Sequence, residues 1–178
     1  DYNVVVGKQA LTSDTKGSRT TAIGFGALQA QNFTTSTDSN NTAVGFWAGK
    51  EILTGKNNTL VGANAGDALT TGELNVAIGD TALGGDDVGN RTVAIGYAAL
   101  QSQNFSTSTI SYNTGIGYGV GASLSTGVRN TLVGYEAGDA ITTGNQNTIV
   151  GEGAGTALDD ADYNVVLGRA ALPADTLG

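Results

Sequence analysis

The sequence predicts an all-β protein, a parallel β-solenoid or β-roll of about ten coils with two short strands in each coil. Three observations predict it. A glycine returns at a fixed spacing through the whole chain. A short segment rich in β-branched residues precedes each of these glycines. An asparagine stands four residues before most of them.

The recurring glycines are Gly7, Gly24, Gly45, Gly62, Gly79, Gly96, Gly117, Gly134, Gly151 and Gly168, 17 residues apart except for two gaps of 21. A second period of 72 residues lies above the first. GFGALQAQNF (24–33) returns as GYAALQSQNF (96–105), with seven of ten positions identical. A four-coil block has therefore been duplicated. A single 17-residue unit cannot bury its own apolar face, whereas stacked neighbours can. The expectation is one solenoid domain over 1–178. The pattern is already under way at Asp1, so a segment of a longer fibre is expected.

The composition agrees. The chain has 178 residues with 28 Gly, one Pro, and no Cys, Met or His. Collagen is excluded, because Gly does not recur every third residue. Simple disorder is disfavoured at 39% hydrophobic and 13% charged residues. Without His or Cys there is no Ser-His-Asp triad, no thiolate nucleophile and no His or Cys zinc site. The net charge of −8 opposes nucleic-acid binding, which needs clustered basic residues. No apolar run reaches the length of a membrane span. No cofactor and no metal are expected.

Each element can be justified in turn. Three before the glycine stands Thr or Val, and one before stands Val, Ile or Leu. These two positions share one face of a strand, because side chains alternate. Two before stands a mostly small apolar residue, on the opposite face. A strand apolar on both faces is expected to be buried on both. One face would line the roll, and the other would meet further copies of the chain. The expected inter-subunit face is that of Ala43, Leu60, Ala77, Ala94, Leu132 and Ile149. Four before the glycine stand Asn3, Asn41, Asn58, Asn75, Asn113, Asn130, Asn147 and Asn164. Stacked, they would form an amide ladder, or they would simply favour the turn.

The residues of these repeats resemble a known group. NNTLVGANAGDALTTG (57–72) and RNTLVGYEAGDAITTG (129–144) resemble the Gly-rich head and shaft repeats of phage tail fibres. NVAIG (75–79) and TVAIG (92–96) are similar to the core of YadA-like heads in trimeric autotransporter adhesins, although the coils here are longer. The resemblance implies a trimer of parallel β-rolls on a virion or cell surface, without enzymatic activity, whose partner is a host glycan or protein receptor.

Candidate sites follow from departures from the repeat. The two four-residue insertions, in 29–40 and 101–113, are expected to bulge from the roll. Phe33, Thr34, Thr35, Phe105, Ser106 and Thr107 would then be contact residues, unless the two Phe fold back. Trp47 stands beside a recurring aromatic position (Phe25, Phe46, Tyr97, Tyr118, Tyr135) that would either stack on sugars or line a subunit interface. Acidic turns at Asp14, Asp86, Asp87, Asp159, Asp160 and Asp162 read as solvated, with Ca²⁺ as the alternative. Threonine rows raise ice binding. The expected function is a non-enzymatic fibre or adhesion segment; the alternative is a monomeric solenoid that binds ice, glycan or calcium.

Overall fold

A computed structural model describes residues 2–172, so the expected domain 1–178 runs past the described residues at both ends. Ten three-residue strands form one parallel sheet: Val4–Val6, Thr21–Ile23, Thr42–Val44, Thr59–Val61, Val76–Ile78, Val93–Ile95, Thr114–Ile116, Thr131–Val133, Thr148–Val150 and Val165–Leu167. Each pairs with its equivalent one coil away, Val4 with Thr21 and Thr21 with Thr42, so the sheet order is the chain order. The chain is a β-solenoid of about ten turns. No helix occurs among the described residues, and none therefore is long and apolar enough to cross a membrane.

The recurring glycine has a steric cause. From Gly7 to Gly168 its φ lies between 117° and 145°, where a side chain is strained. From Gly7 to Gly151, an added Cβ would also lie 2.1–2.7 Å from the carbonyl oxygen of the next glycine in the column. Stacking at the strand spacing leaves no room for a methyl group there.

The return path differs from the expected second strand. Two-residue strands form only beside the insertions, where Gly17–Ser18 pairs with Thr37–Asp38 and Gly89–Asn90 pairs with Thr109–Ile110. Elsewhere the return is turn and bend.

The interior contains three kinds of column. Residues two before the glycine, such as Ala43, Leu60, Ala77, Ala94, Leu132 and Ile149, are wholly buried inside the chain's own roll. The expected inter-subunit face is therefore wrong: those six residues fill the core. The outward face carries the Thr/Val and Val/Ile positions instead. A thin roll has space for Ala or an occasional Leu, and β-branched pairs stand outside.

The second column, three after the glycine, is Ala in nine coils and Val120 in the other. The third is shared between positions four and seven after the glycine. Gly49, Gly66, Gly121, Gly138 and Gly155 accompany Ile52, Leu69, Leu124, Ile141 and Leu158. Leu11, Leu28, Leu83 and Leu100 accompany Asp14, Gln31, Asp86 and Gln103 instead. The two positions compete for one volume. A Cβ on Gly66 would lie 2.9 Å from Leu60 and 3.0 Å from Leu69. The four leucines adopt φ of 49–54°, a left-handed strain on the order of 1 kcal/mol that their burial offsets.

Candidate functional site

The asparagine ladder is present, and its chief partners are backbone groups. The Oδ1 of Asn41, Asn58, Asn113 and Asn130 accepts the main-chain N–H of Asn58, Asn75, Asn130 and Asn147, at 2.8–3.0 Å. Asn3 and Asn75 accept from Thr20 and Thr92 at 2.9 Å, and Asn147 accepts from Asn164 at 2.9 Å. Each Nδ2 donates to a turn carbonyl, as Asn41 does to Gly55 and Asn75 to Gly89, at 2.8 and 2.9 Å. Amide-to-amide bonds are longer, 3.3 Å from Asn58 to Asn41. The ladder thus satisfies buried main-chain groups that would otherwise be orphaned at the corner of each coil. Asn164 closes it on the described side, donating to Asn147 Oδ1 at 3.0 Å.

At the insertions the ladder detours. Thr20 and Thr92 replace Asn, and a glutamine from the longer coil fills the gap. Gln103 Nε2 donates to Asp86 Oδ2 at 2.7 Å and to Thr92 Oγ1 at 2.9 Å. Its Oε1 accepts from Asn113 Nδ2 at 2.8 Å, and Thr92 Oγ1 meets Ser111 Oγ at 2.6 Å. The first block repeats this with Asp14, Thr20, Gln31, Ser39 and Asn41. Asp86 also accepts from the N–H groups of Gly89 and Phe105. Burial pushes its carboxyl up to about 6, against the hydrogen bonds from Gln103 and Gly89 that favour the charged form.

That network places the insertion residues. Phe33 and Phe105 are only 6% exposed, so they have folded back and are not contact residues. Thr34, Thr35, Ser106 and Thr107 remain exposed on the loops.

The outward sheet face is the largest unpaired feature. Thr59, Val61, Ile78, Ile116, Thr131 and Thr148 are exposed on it, while Ile23, Val44, Ile95, Val133 and Val150 are half-buried. Aromatic rings form two stacks just beyond these strands. Phe25, Phe46 and Trp47 stand with neighbouring centroids 5.5 and 4.6 Å apart. Tyr97, Tyr118 and Tyr135 stack at 5.0 and 5.2 Å, nearly parallel. Both faces of Tyr118 are taken by its neighbours, so no sugar can lie on that ring. Hydrogen bonding and repulsion from the Glu136 carboxylate raise the Tyr135 hydroxyl above its ordinary range.

The acidic turns tie coils together. Asp87 accepts from Thr70 Oγ1, Asp159 from Thr142 Oγ1 at 2.5 Å, and Asp162 from the Asn145 N–H at 2.6 Å. Asp14 and Asp86 belong to the buried detours, and Asp160 is exposed. Among the described residues no group of three or more carboxylates is close enough to hold a metal ion.

Sequence reasoning missed one concavity of about 570 Å³, between the coils that begin at Gly45 and Gly96. Trp47, Lys50, Asp67, Gln101 and Ser102 border it, and the adjacent Gly84 and Gly85 supply its floor. The paired glycine was the available signal, since every other described coil carries a side chain at the position of Gly84. Comparison with known proteins adds nothing to this geometry: no family model, curated protein or solved structure matches the chain.

Proposed function

We propose that the chain is a segment of an elongated, non-enzymatic fibre or adhesion protein, built as a trimer of β-solenoids on a virion or cell surface. One observation carries this reading. Ten strands present two outward columns of Thr, Val and Ile with nothing over them. Strands about 4.8 Å apart and three residues wide make a flat face on the order of 400–500 Å². The flanking aromatic stacks widen it. That is the upper end of the apolar patch an isolated subunit leaves in water. Copies related by rotation would cover it with a self-consistent set of contacts. The resemblance of NVAIG and TVAIG to trimeric adhesin heads supports three as the copy number. Stacked rings and the outward Ile78, Ile95 and Ile116 then lie at the subunit interface.

Sedimentation equilibrium tests the proposal. Three times the chain mass of 17.8 kDa is expected at micromolar concentration. Ile78→Lys with Ile95→Lys should give a folded monomer, because both positions face outward. A wild-type monomer at tens of micromolar would overturn the trimer.

A second reading has its own observation. Six positions of the outward column three before the glycine are threonine: Thr21, Thr42, Thr59, Thr114, Thr131 and Thr148. A monomer could order water on such a flat, regular face and bind ice. Thermal hysteresis from a monomeric wild-type chain selects that reading.

A further inference from the structure

We propose that the concavity floored by Gly84 and Gly85 is a binding site for a neutral saccharide of one to three rings. The proposal rests on the receptor-binding part of the fibre reading and names its ligand class; the subunit count does not enter it. At about 570 Å³ the notch falls within the ordinary range of small-ligand sites.

Its chemistry favours a polyhydroxylated, uncharged ligand. Lys50 and Asp67 contribute opposite charges that cancel, which suits neither a phosphate nor a bare cation. Gln101 and Ser102 add an amide and a hydroxyl on the far rim. The Asp67 carboxylate looks directly onto the floor, since a Cβ on Gly84 would lie 3.3 Å from its Oδ1. Partial burial raises that carboxyl above its ordinary range, so it gains from hydroxyl donors. Trp47 serves as a wall. Its ring lies flat on Gly26, where a Cβ would meet it at 2.5 Å, and the Lys50 ammonium sits over it at 4.8 Å from the centroid. The ring is thereby fixed without ligand, and its apolar edge and the lysine both face the notch.

The duplicated block is an internal control. Seventy-two residues on, Trp47 becomes Gly119, Lys50 becomes Ala122 and Gly84 becomes Thr156, while Asp67 remains as Asp139. The core columns match between the blocks, yet these surface positions do not. The notch is thus an addition to the scaffold in one block, not a by-product of the coil.

Trp47 is the only tryptophan in the chain, so its fluorescence reports on this site alone. The intact assembly should be titrated with maltotriose, cellotriose and triacetylchitotriose, with sodium phosphate and calcium chloride as charged probes. At least one trisaccharide should change the emission saturably, with a midpoint near 1 mM, as a few hydrogen bonds and one ring contact allow. The charged probes should leave it unchanged. Gly84→Thr, which installs the residue of the second block, should raise the midpoint at least tenfold. Ser102→Tyr, at an exposed rim position, should do the same without touching the core. Asp139→Asn should leave the midpoint unchanged. No saturable response to any trisaccharide, or an unchanged midpoint in both filled variants, overturns the site. Sedimentation of the same samples reads assembly separately, so failure of the notch and failure of the fibre reading are distinguishable.

Discussion

The two 72-residue blocks share an interior and differ on the outside. Asp14 and Asp86, Gln31 and Gln103, Thr20 and Thr92, Ser39 and Ser111 stand at equivalent positions and make the same hydrogen bonds. Outside, Arg19 reaches across the first insertion to Asp38, whereas Arg91 reaches across the second to the Tyr112 hydroxyl. Phe25 and Phe46 answer to Tyr97 and Tyr118, and the Trp47 notch has no counterpart. Stacking explains the division. An inward side chain is constrained by the coil above and the coil below, so a change must be matched in its neighbours. An outward side chain has water on one side and is free to specialise. Function in this molecule should therefore be sought where the blocks disagree.

The largest expected effect lies where they agree most. Gly45 and Gly117 are equivalent, and a Cβ on either would lie 2.2 or 2.1 Å from the next glycine's carbonyl oxygen. Gly45→Ala and Gly117→Ala should each cost about 4 kcal/mol or more, enough to prevent folding of a marginally stable domain. Far-UV circular dichroism and solubility check this. If either variant melted within a few degrees of wild type, the glycine column would not be the steric keel of the roll.

The next comparison separates two copies of one network. Asp86 is wholly buried, while Asp14 belongs to the first coil and is half-exposed. Asp86→Ala leaves the Gln103 amide and the Gly89 N–H without their buried acceptor, a loss of about 3 kcal/mol. Asp14→Ala lets water replace the carboxylate and should cost about 1 kcal/mol. Equal losses in urea unfolding would mean that the position in the stack does not matter.

The same burial makes stability depend on pH. The folded Asp86 carboxyl lies at about 6 and its ordinary value is 3.8, so the folded chain takes up the proton first as pH falls. Its contribution is fully present below the unfolded value and is lost as pH rises through about 6. The total is on the order of 2–3 kcal/mol between pH 4 and pH 8. The nearby Asp87 charge acts in the same direction. Asp86→Asn should flatten most of the slope, with Asp67 and Asp139 leaving a smaller remainder of the same sign. Thermal melts across that range measure it, and an unchanged slope in the variant would assign the dependence elsewhere.

These contrasts mark what the sequence made visible. Period, coil number and the asparagine ladder were legible, because each is one residue type at one spacing. The direction of the strand faces was not. Val and Ile outrank Ala in hydrophobicity, so Ala43 and Ala77 read as a cover and Ile78 as core, yet the narrow roll admits the alanines. The Asp86–Gln103–Thr92 cluster was hidden because its members lie in two successive coils and look like surface residues singly. The paired exchange of Leu with Asp or Gln, and of Gly with Leu or Ile, at positions four and seven was its trace. That exchange is a volume rule, which hydrophobic patterning does not register.

The smallest effect on the chain bears most on assembly. Tyr118 is the middle ring of its stack and about half exposed. Tyr118→Ser removes two ring contacts and should lower the stability of one chain by about 1 kcal/mol. Phe46→Ser in the first block should do likewise, since Phe46 lies between Phe25 and Trp47. If the aromatic stacks line a subunit interface, each ring is buried once more on association. The loss then reappears, multiplied by the number of subunits, as dissociation at concentrations where wild type holds together. If the stacks face water, both variants sediment as wild type does. A split result, with one variant dissociating and the other not, would show that only one block contributes its rings to the interface.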